Sequence, residues 1–184
     1  MNAAPVSVAL PVEAACDDRA ARLGALFDVH EERLYRLARR LTGSADEARD
    51  LVQDTFLKAA KSSKSVPAGF ANEEAWLVRV LVNIRRDQWR RAAVRKRSAA
   101  ILRADDASPS NVESSVIAKR MVWAALDVLE PRRRAIVIMH ELEGVMPAAI
   151  AAVLGVRAIT VRWHLSMGRR DLRRILEPQM GDRR

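Results

Sequence analysis

Three histidines, a single cysteine and 23 acidic side chains are the material this 184-residue chain offers for metal or acid–base chemistry. His140-Glu141-Leu142-Glu143-Gly144 begins like His-Glu-x-x-His, where two histidines one helical turn apart hold zinc and the glutamate acts as general base. Its fifth position is Gly144, so the metal loses a ligand and the pattern fails. His30, His140, His164 and Cys16 are scattered without ligand spacing. No glycine-rich phosphate loop, nucleophile elbow or Cys-His pair compensates. The residues point away from an enzyme, and neither a metal nor another cofactor is expected.

The chemistry that remains is cationic. Residues 1–60 carry 8 Lys/Arg against 10 Asp/Glu, and residues 61–184 carry 24 against 13, so the net charge of +9 belongs to the later two-thirds. Arg85, Arg86, Arg90, Arg91, Arg95, Lys96 and Arg97 form one run; Arg157, Arg162, Arg169, Arg170, Arg173 and Arg174 form another. A localised surplus of this kind suits a polyanion, because each cation placed on a phosphate releases condensed counterions. Nucleic acid leads, ahead of an acidic membrane surface. The lone Cys16 cannot close an internal disulfide, which fits a reducing cytoplasm. Met1 to Cys16 has the Ala14-Ala15-Cys16 end of a lipoprotein signal, but Pro5, Pro11 and Glu13 interrupt it and a basic start is missing, so export is not expected. No apolar run approaches the roughly 20 residues of a membrane span.

These cations need elements to carry them. Hydrophobic residues are 49% of the chain and aromatics only 4%, so the core rests on Leu, Val, Ile and Ala, a mixture that favours helices. Leu23, Leu26, Phe27, His30, Leu34, Leu37 and Leu41 recur in steps of three and four, and Gly43 stops that helix. Ser44 and Glu47 form a capping box for a second, with Ala48, Leu51, Val52, Thr55, Phe56 and Ala59 on one face. Residues 61–72 read as a loop around Pro67 and Gly69. A third helix from near Glu73 begins apolar, through Trp76, Leu77, Val80, Leu81 and Ile84, and ends cationic; Trp76 reads as core. Residues 98–115 lose periodicity and read as a linker between two domains. Periodicity returns at Ile117, and Pro131 opens a further helix through Glu141. Last come a short helix from Pro147, a turn at Gly155-Val156 and a longer basic helix from about Arg157 to Leu176. Ala151, Gly155 and Val161 have helix-turn-helix spacing: a small residue for close approach, a turn glycine and a core plug.

In this order, four segments resemble the extracytoplasmic-function group of sigma factors, over roughly residues 23–97 and 117–176. Ala48-Arg49-Asp50-Leu51-Val52-Gln53-Asp54-Thr55-Phe56 is similar to the stretch that docks on the clamp helices of the largest polymerase subunit. Trp76-Leu77, Asn83, Asp87 and Arg90-Arg91 are spaced as in the helix that reads and opens the minus-ten element. Leu126 to Arg134 and Leu154 to Arg162 resemble the domain that binds the minus-35 element.

The resemblance implies an all-α chain of two small helical domains joined by a flexible linker, the C-terminal one with a helix-turn-helix. Its bounds are a tail at 1–17, the first domain at 18–97, a linker at 98–115, the second domain at 116–178 and a tail at 179–184. Asp50, Gln53, Asp54 and Phe56 are then expected to bind core polymerase. Asn83, Arg86, Trp89, Arg90 and Arg91 are expected on minus-ten DNA, with a pocket for an extruded base in residues 61–72. Arg157, Thr160, Arg162 and His164 are expected on minus-35 DNA. The implied partners are core RNA polymerase, through its clamp helices and the flap of its second-largest subunit, promoter DNA and an anti-sigma factor. The linker, with Asp105 and Asp106, would thread near the polymerase active centre.

The chain departs from the family at Met146 and Arg157, where a Ser or Thr cap is usual, a cost of about 1 kcal/mol each. Ala149, His164 and Met167 also depart. Gly168, where alanine is common, reads as a further loss of about 1 kcal/mol inside a helix. The rival reading is a free-standing helix-turn-helix regulator that dimerises on paired half-sites. It leaves the Asp50 to Phe56 stretch and the cationic third helix without a task.

Overall fold

The leucine ridge of Leu26, Leu34, Leu37 and Leu41 is buried along α1 (Val12–Thr42). It meets Ala48, Leu51, Val52, Phe56 and Ala59 of α2 (Ala45–Lys61) and Leu77, Val78, Leu81 and Val82 of α3 (Phe70–Ala99). The computed structural model describes the backbone of residues 12–99 and 114–181 and the side chains of 19–95 and 121–177. In that range every regular element is helical. The expected acidic linker residues Asp105 and Asp106 lie outside the described residues, as do the tails 1–11 and 182–184.

A second unit is made of α4 (Ser114–Val128), α5 (Pro131–Val137), α6 (Pro147–Leu154) and α7 (Ala158–Gly181). Pro131 stands in the first turn of α5, where its missing N–H costs nothing, and Glu130 accepts from the Arg133 N–H as the cap. Gly155 ends α6 with φ 64°, a left-handed conformation that other residues enter only with strain. α6 and α7 meet at 110°. Ala151 and Val161 are both buried where they cross, as helix-turn-helix packing requires.

Several boundaries differ from the sequence reading. α1 starts at Val12, inside the expected tail, because Val12 to Ala21 hold no glycine or proline even though Asp17 and Asp18 erase the amphipathic period. α3 begins three residues before Glu73 and continues to Ala99, and α4 starts at Ser114, so helix covers both ends of the expected linker. The helix opened by Pro131 is regular only to Val137. A π-helical turn (Ile138–Leu142) follows, in which the Glu143 N–H reaches back five residues to the Ile138 carbonyl. Ser44 caps α2 at 3.5 Å from the Glu47 N–H, while the Glu47 carboxylate pairs with Arg85 at 3.4 Å, so charge pairing takes the place of the box's second half.

The two units pack together, α3 lying against α5 and α6, and one continuous buried cluster runs from Leu26 to Leu165. Arg79 of α3 donates from Nε to the Val153 carbonyl at 2.9 Å and from Nη2 to the Ala152 carbonyl at 3.1 Å. It therefore satisfies the Val153 carbonyl near the end of α6 and adds a second donor to the Ala152 carbonyl, which also accepts from the Gly155 N–H at 3.4 Å. Glu143 accepts from Arg33 at 2.7 Å and from Arg40 at 2.6 Å, and its side chain is only 8% exposed.

Candidate polymerase and nucleic-acid interfaces

Asp50, Gln53 and Asp54 stand exposed on the outer face of α2, a consequence of Leu51, Val52, Thr55 and Phe56 taking the inner face. Phe56 is buried and tilts against Phe27 of α1 at 4.9 Å between ring centroids. It forms the floor of an open groove of about 400 Å³ that also takes in Leu23, Phe27, Tyr35, Val52, Gln53 and Leu57. The sequence reading put Phe27 on the core-facing ridge and gave Leu57 no role, yet both are exposed. The signal for Leu57 was an apolar residue standing just off the buried face of α2. An apolar floor edged by Glu31, Arg49 and Gln53 suits a polar helix with an apolar stripe.

Along α3 the arginines divide by depth. Asn83 and Arg86 are half-buried, whereas Trp89, Arg90 and Arg91 are exposed. Arg86 lies 3.7 Å from Asp87. Across the seam stands Arg132 of α5, whose guanidinium pKa is pushed down by burial and then by Arg86 and Arg90, against the pull of Glu130. Arg134 is 3% exposed, is paired with Asp127, and has its pKa lowered by burial more strongly than Asp127 restores it. The packed units thus press like charges together over part of the cationic face of α3. Arg22 of α1 donates to the carbonyl of Val66, in the loop before α3, at 3.0 Å, and Phe70, the first residue of α3, is exposed with its ring 5.0 Å from that of the buried His30.

On α7, Arg157, just before the helix, and Arg162 are exposed, and Thr160 is half-buried. His164 turns inward instead: its Nδ1 is buried without a hydrogen-bond partner, and burial, then Arg133 and Arg132, hold its pKa below the usual histidine range against Glu130. The outward positions that sequence reasoning missed are Ile159 and Trp163, one turn apart. Their signal was present, since they fall opposite the buried Val161 and Leu165. Beyond them Arg162, Ser166, Arg169, Arg170 and Arg173 line a basic groove of about 480 Å³ together with His140 and Pro147. Met146 precedes α6 with no side-chain cap, as its identity led us to expect.

Gly168 reverses its sequence reading. A Cβ there would stand 2.6 Å from Val137 Cγ2, closer than real contacts allow, so glycine is what lets α5 and α7 touch. The helix-propensity loss is the smaller effect. Among the described residues no group of three His, Cys, Asp or Glu could hold a metal ion, and no single helix is long and apolar enough to cross a membrane.

Residues 26–95 match the family model Sigma-70 region 2, and residues 119–172 match Sigma-70, region 4. The chain is 36% identical over 150 residues to the ECF RNA polymerase sigma factor SigE of Mycolicibacterium smegmatis, a match covering 78% of this chain and 57% of that relative. It therefore spans little more than half of that relative's length. It is 31% identical over 169 residues to SigL, an ECF RNA polymerase sigma factor of Mycobacterium tuberculosis, covering 90% of this chain and 95% of that one. Its fold is similar to that of the sigma factor RpoE in complex with the anti-sigma factor NepR from Bartonella quintana, with TM-score 0.60, 24% identity and coverage of 87% and 97%. CnrH, in complex with the cytosolic domain of CnrY, is similar at TM-score 0.56 and 23% identity over 85% and 88%.

Proposed function

Because this chain belongs to the extracytoplasmic-function group of the sigma-70 family, we propose that it binds core RNA polymerase and directs promoter-specific initiation. It is a specificity subunit without chemistry of its own, working in the cytoplasm. The observation that carries this reading is the pairing, in one unit, of the exposed Asp50-Gln53-Asp54 face with the cationic outer face of α3. A DNA-binding regulator needs the second; only a polymerase subunit needs both.

In this reading the α2 face and its groove receive the clamp helices. Arg86, Arg90 and Arg91 hold backbone phosphates of the minus-ten element, Asn83 faces its bases, and the exposed Trp89 offers a stacking surface worth about 1–3 kcal/mol per base. Arg157, Thr160 and Arg162 meet minus-35 DNA. The flap is assigned to the open apolar groove of about 370 Å³ on the second unit, where the exposed Val122 and Leu142 and the half-buried Trp123 await cover. An anti-sigma factor is the expected inhibitory partner, in line with the complex of RpoE with the anti-sigma factor NepR, to which the fold is similar.

The packed arrangement bears on how this works. Elements named minus-ten and minus-35 lie about 25 base pairs apart, roughly 85 Å along B-DNA at ~3.4 Å per pair. Arg79 of α3 touches α6 directly, so α3 and the helix-turn-helix cannot reach both elements while packed. Promoter engagement therefore requires the units to separate, which also relieves the crowding of Arg132 against Arg86 and Arg90.

The test is reconstituted transcription with purified core polymerase on fragmented genomic DNA from the host, with sequencing of transcript starts. Starts sharing two spaced upstream elements, and lost on Gln53→Ala/Asp54→Ala substitution, support the reading. DNA binding without starts and without association with core would replace it by the free-standing regulator.

A further inference from the structure

A tryptophan and an isoleucine stand in the open on a face otherwise made of arginine. Ile159 is 63% exposed and Trp163 53% exposed; they are one turn apart in the first half of α7, flanked by the exposed Arg162, Ser166, Arg169 and Arg170. A single exposed apolar side chain is ordinary. What separates Trp163 from that case is its bracing. The Arg133 guanidinium lies 5.6 Å from the indole ring centre, Arg133 is itself tied to Asp171 at 2.6 Å, and His164 meets the indole edge-on at 4.9 Å. The ring is held in place from behind while its outer surface faces solvent.

The cations around it argue for a polyanion rather than an apolar protein surface as the occupant. In the major groove only thymine presents an apolar group, its 5-methyl; the other bases offer hydrogen-bond donors and acceptors. A braced indole and a branched aliphatic side chain can make no hydrogen-bond readout there through their carbon surfaces, but both can cover a methyl. Resting on the proposed sigma-factor role, we propose that Trp163, with Ile159 beside it, reads thymine methyl groups in the minus-35 element and thereby sets part of the promoter preference. The residue type one turn into the helix, and not arginine alone, then decides which base is preferred.

The experiment changes the DNA before it changes the protein. Promoters mapped by the transcription assay are rebuilt with deoxyuridine in place of each thymine of the upstream element, which removes only the methyl. Affinity of the holoenzyme is then measured for each. The expected result is a loss of about fourfold at one or two positions, since covering one methyl contributes ~0.8 kcal/mol. With Trp163→Ala the same substitutions should cost less than about twofold, and the dependence of binding on salt should keep its slope, because no phosphate contact is removed. Indifference to deoxyuridine at every thymine, with normal initiation, overturns this inference alone; so does an equal loss in the wild type and in Trp163→Ala. If the holoenzyme makes no specific starts, the sigma reading falls and takes this inference with it.

Discussion

Glu143, the residue after the π-helical turn, accepts a 2.6 Å hydrogen bond from Arg40 of α1, joining positions 103 residues apart across the seam between the two helical units. Arg33 binds the other carboxylate oxygen at 2.7 Å and is also held by Glu74 at 3.1 Å. Glu143, and after it Glu74, keep the Arg33 guanidinium above its ordinary pKa in spite of burial. The carboxylate is buried but its arginines are about one-third exposed, so water screens part of the attraction and a net contribution of about 1–3 kcal/mol is reasonable.

Reversing that charge should open the seam. Glu143→Lys sets a cation against Arg33 and Arg40, and Arg79→Ala removes the bonds to the end of α6. The double variant is expected to scatter X-rays as an extended particle, with a radius of gyration well above the about 16 Å of a packed chain of this length. A value near that for the packed chain would show that the apolar cluster alone keeps the units together.

Gly168→Ala pits helix propensity against packing. Alanine gains about 1 kcal/mol in an open helix, but overpacking a core costs about 1–3 kcal/mol, and here the new methyl meets Val137 Cγ2. We expect a melting temperature lower by about 2–6 °C, with recovery when Val137→Ala is added. A rise in melting temperature for Gly168→Ala alone would mean that α5 and α7 yield easily.

Gln53→Ala/Asp54→Ala should leave thermal stability within about 0.5 kcal/mol of the parent, both side chains being exposed, while association with core polymerase is lost. Phe56→Ala is the uninformative choice for the same question. Its ring is buried against Phe27, so truncation costs about 3–5 kcal/mol and would weaken any interface by unfolding the unit. Equal losses of stability in both variants would contradict the division of α2 into an outer and an inner face.

His164 makes stability depend on pH. Burial holds its folded pKa below the ordinary 6.5, so the unfolded chain binds more protons once the pH falls under that value. The neutral form is the one the fold accepts, and its contribution is complete above about 6.5 and declines as the pH drops from there toward the lower folded pKa. His164→Gln should flatten the acid side of a stability-against-pH curve in that window, measured by chemical denaturation. An unchanged slope would place the dependence on other groups.

What the sequence determined by itself was local. Leucines at steps of three and four set the ridge of α1, the alternation of Leu51-Val52 with Gln53-Asp54 set the two faces of α2, and Ala151, Gly155 and Val161 announced the helix-turn-helix, because helical periodicity relates residues only three or four apart. The acidic and polar face of α2 and the cations of α3 were legible for the same reason. The tertiary structure decided how those faces are used. His164 and Trp163 are neighbours in sequence, yet the fold buries the Nδ1 of one and leaves the other half in solvent. Gly168 reads as a helix defect until Val137 is placed beside it, and Glu143 reads as the remnant of a zinc pattern until Arg33 and Arg40 arrive from another unit. Contacts such as Arg79 to Val153, 74 residues apart, leave no period in the chain, since nothing about either residue's neighbours is altered by the partner it will meet.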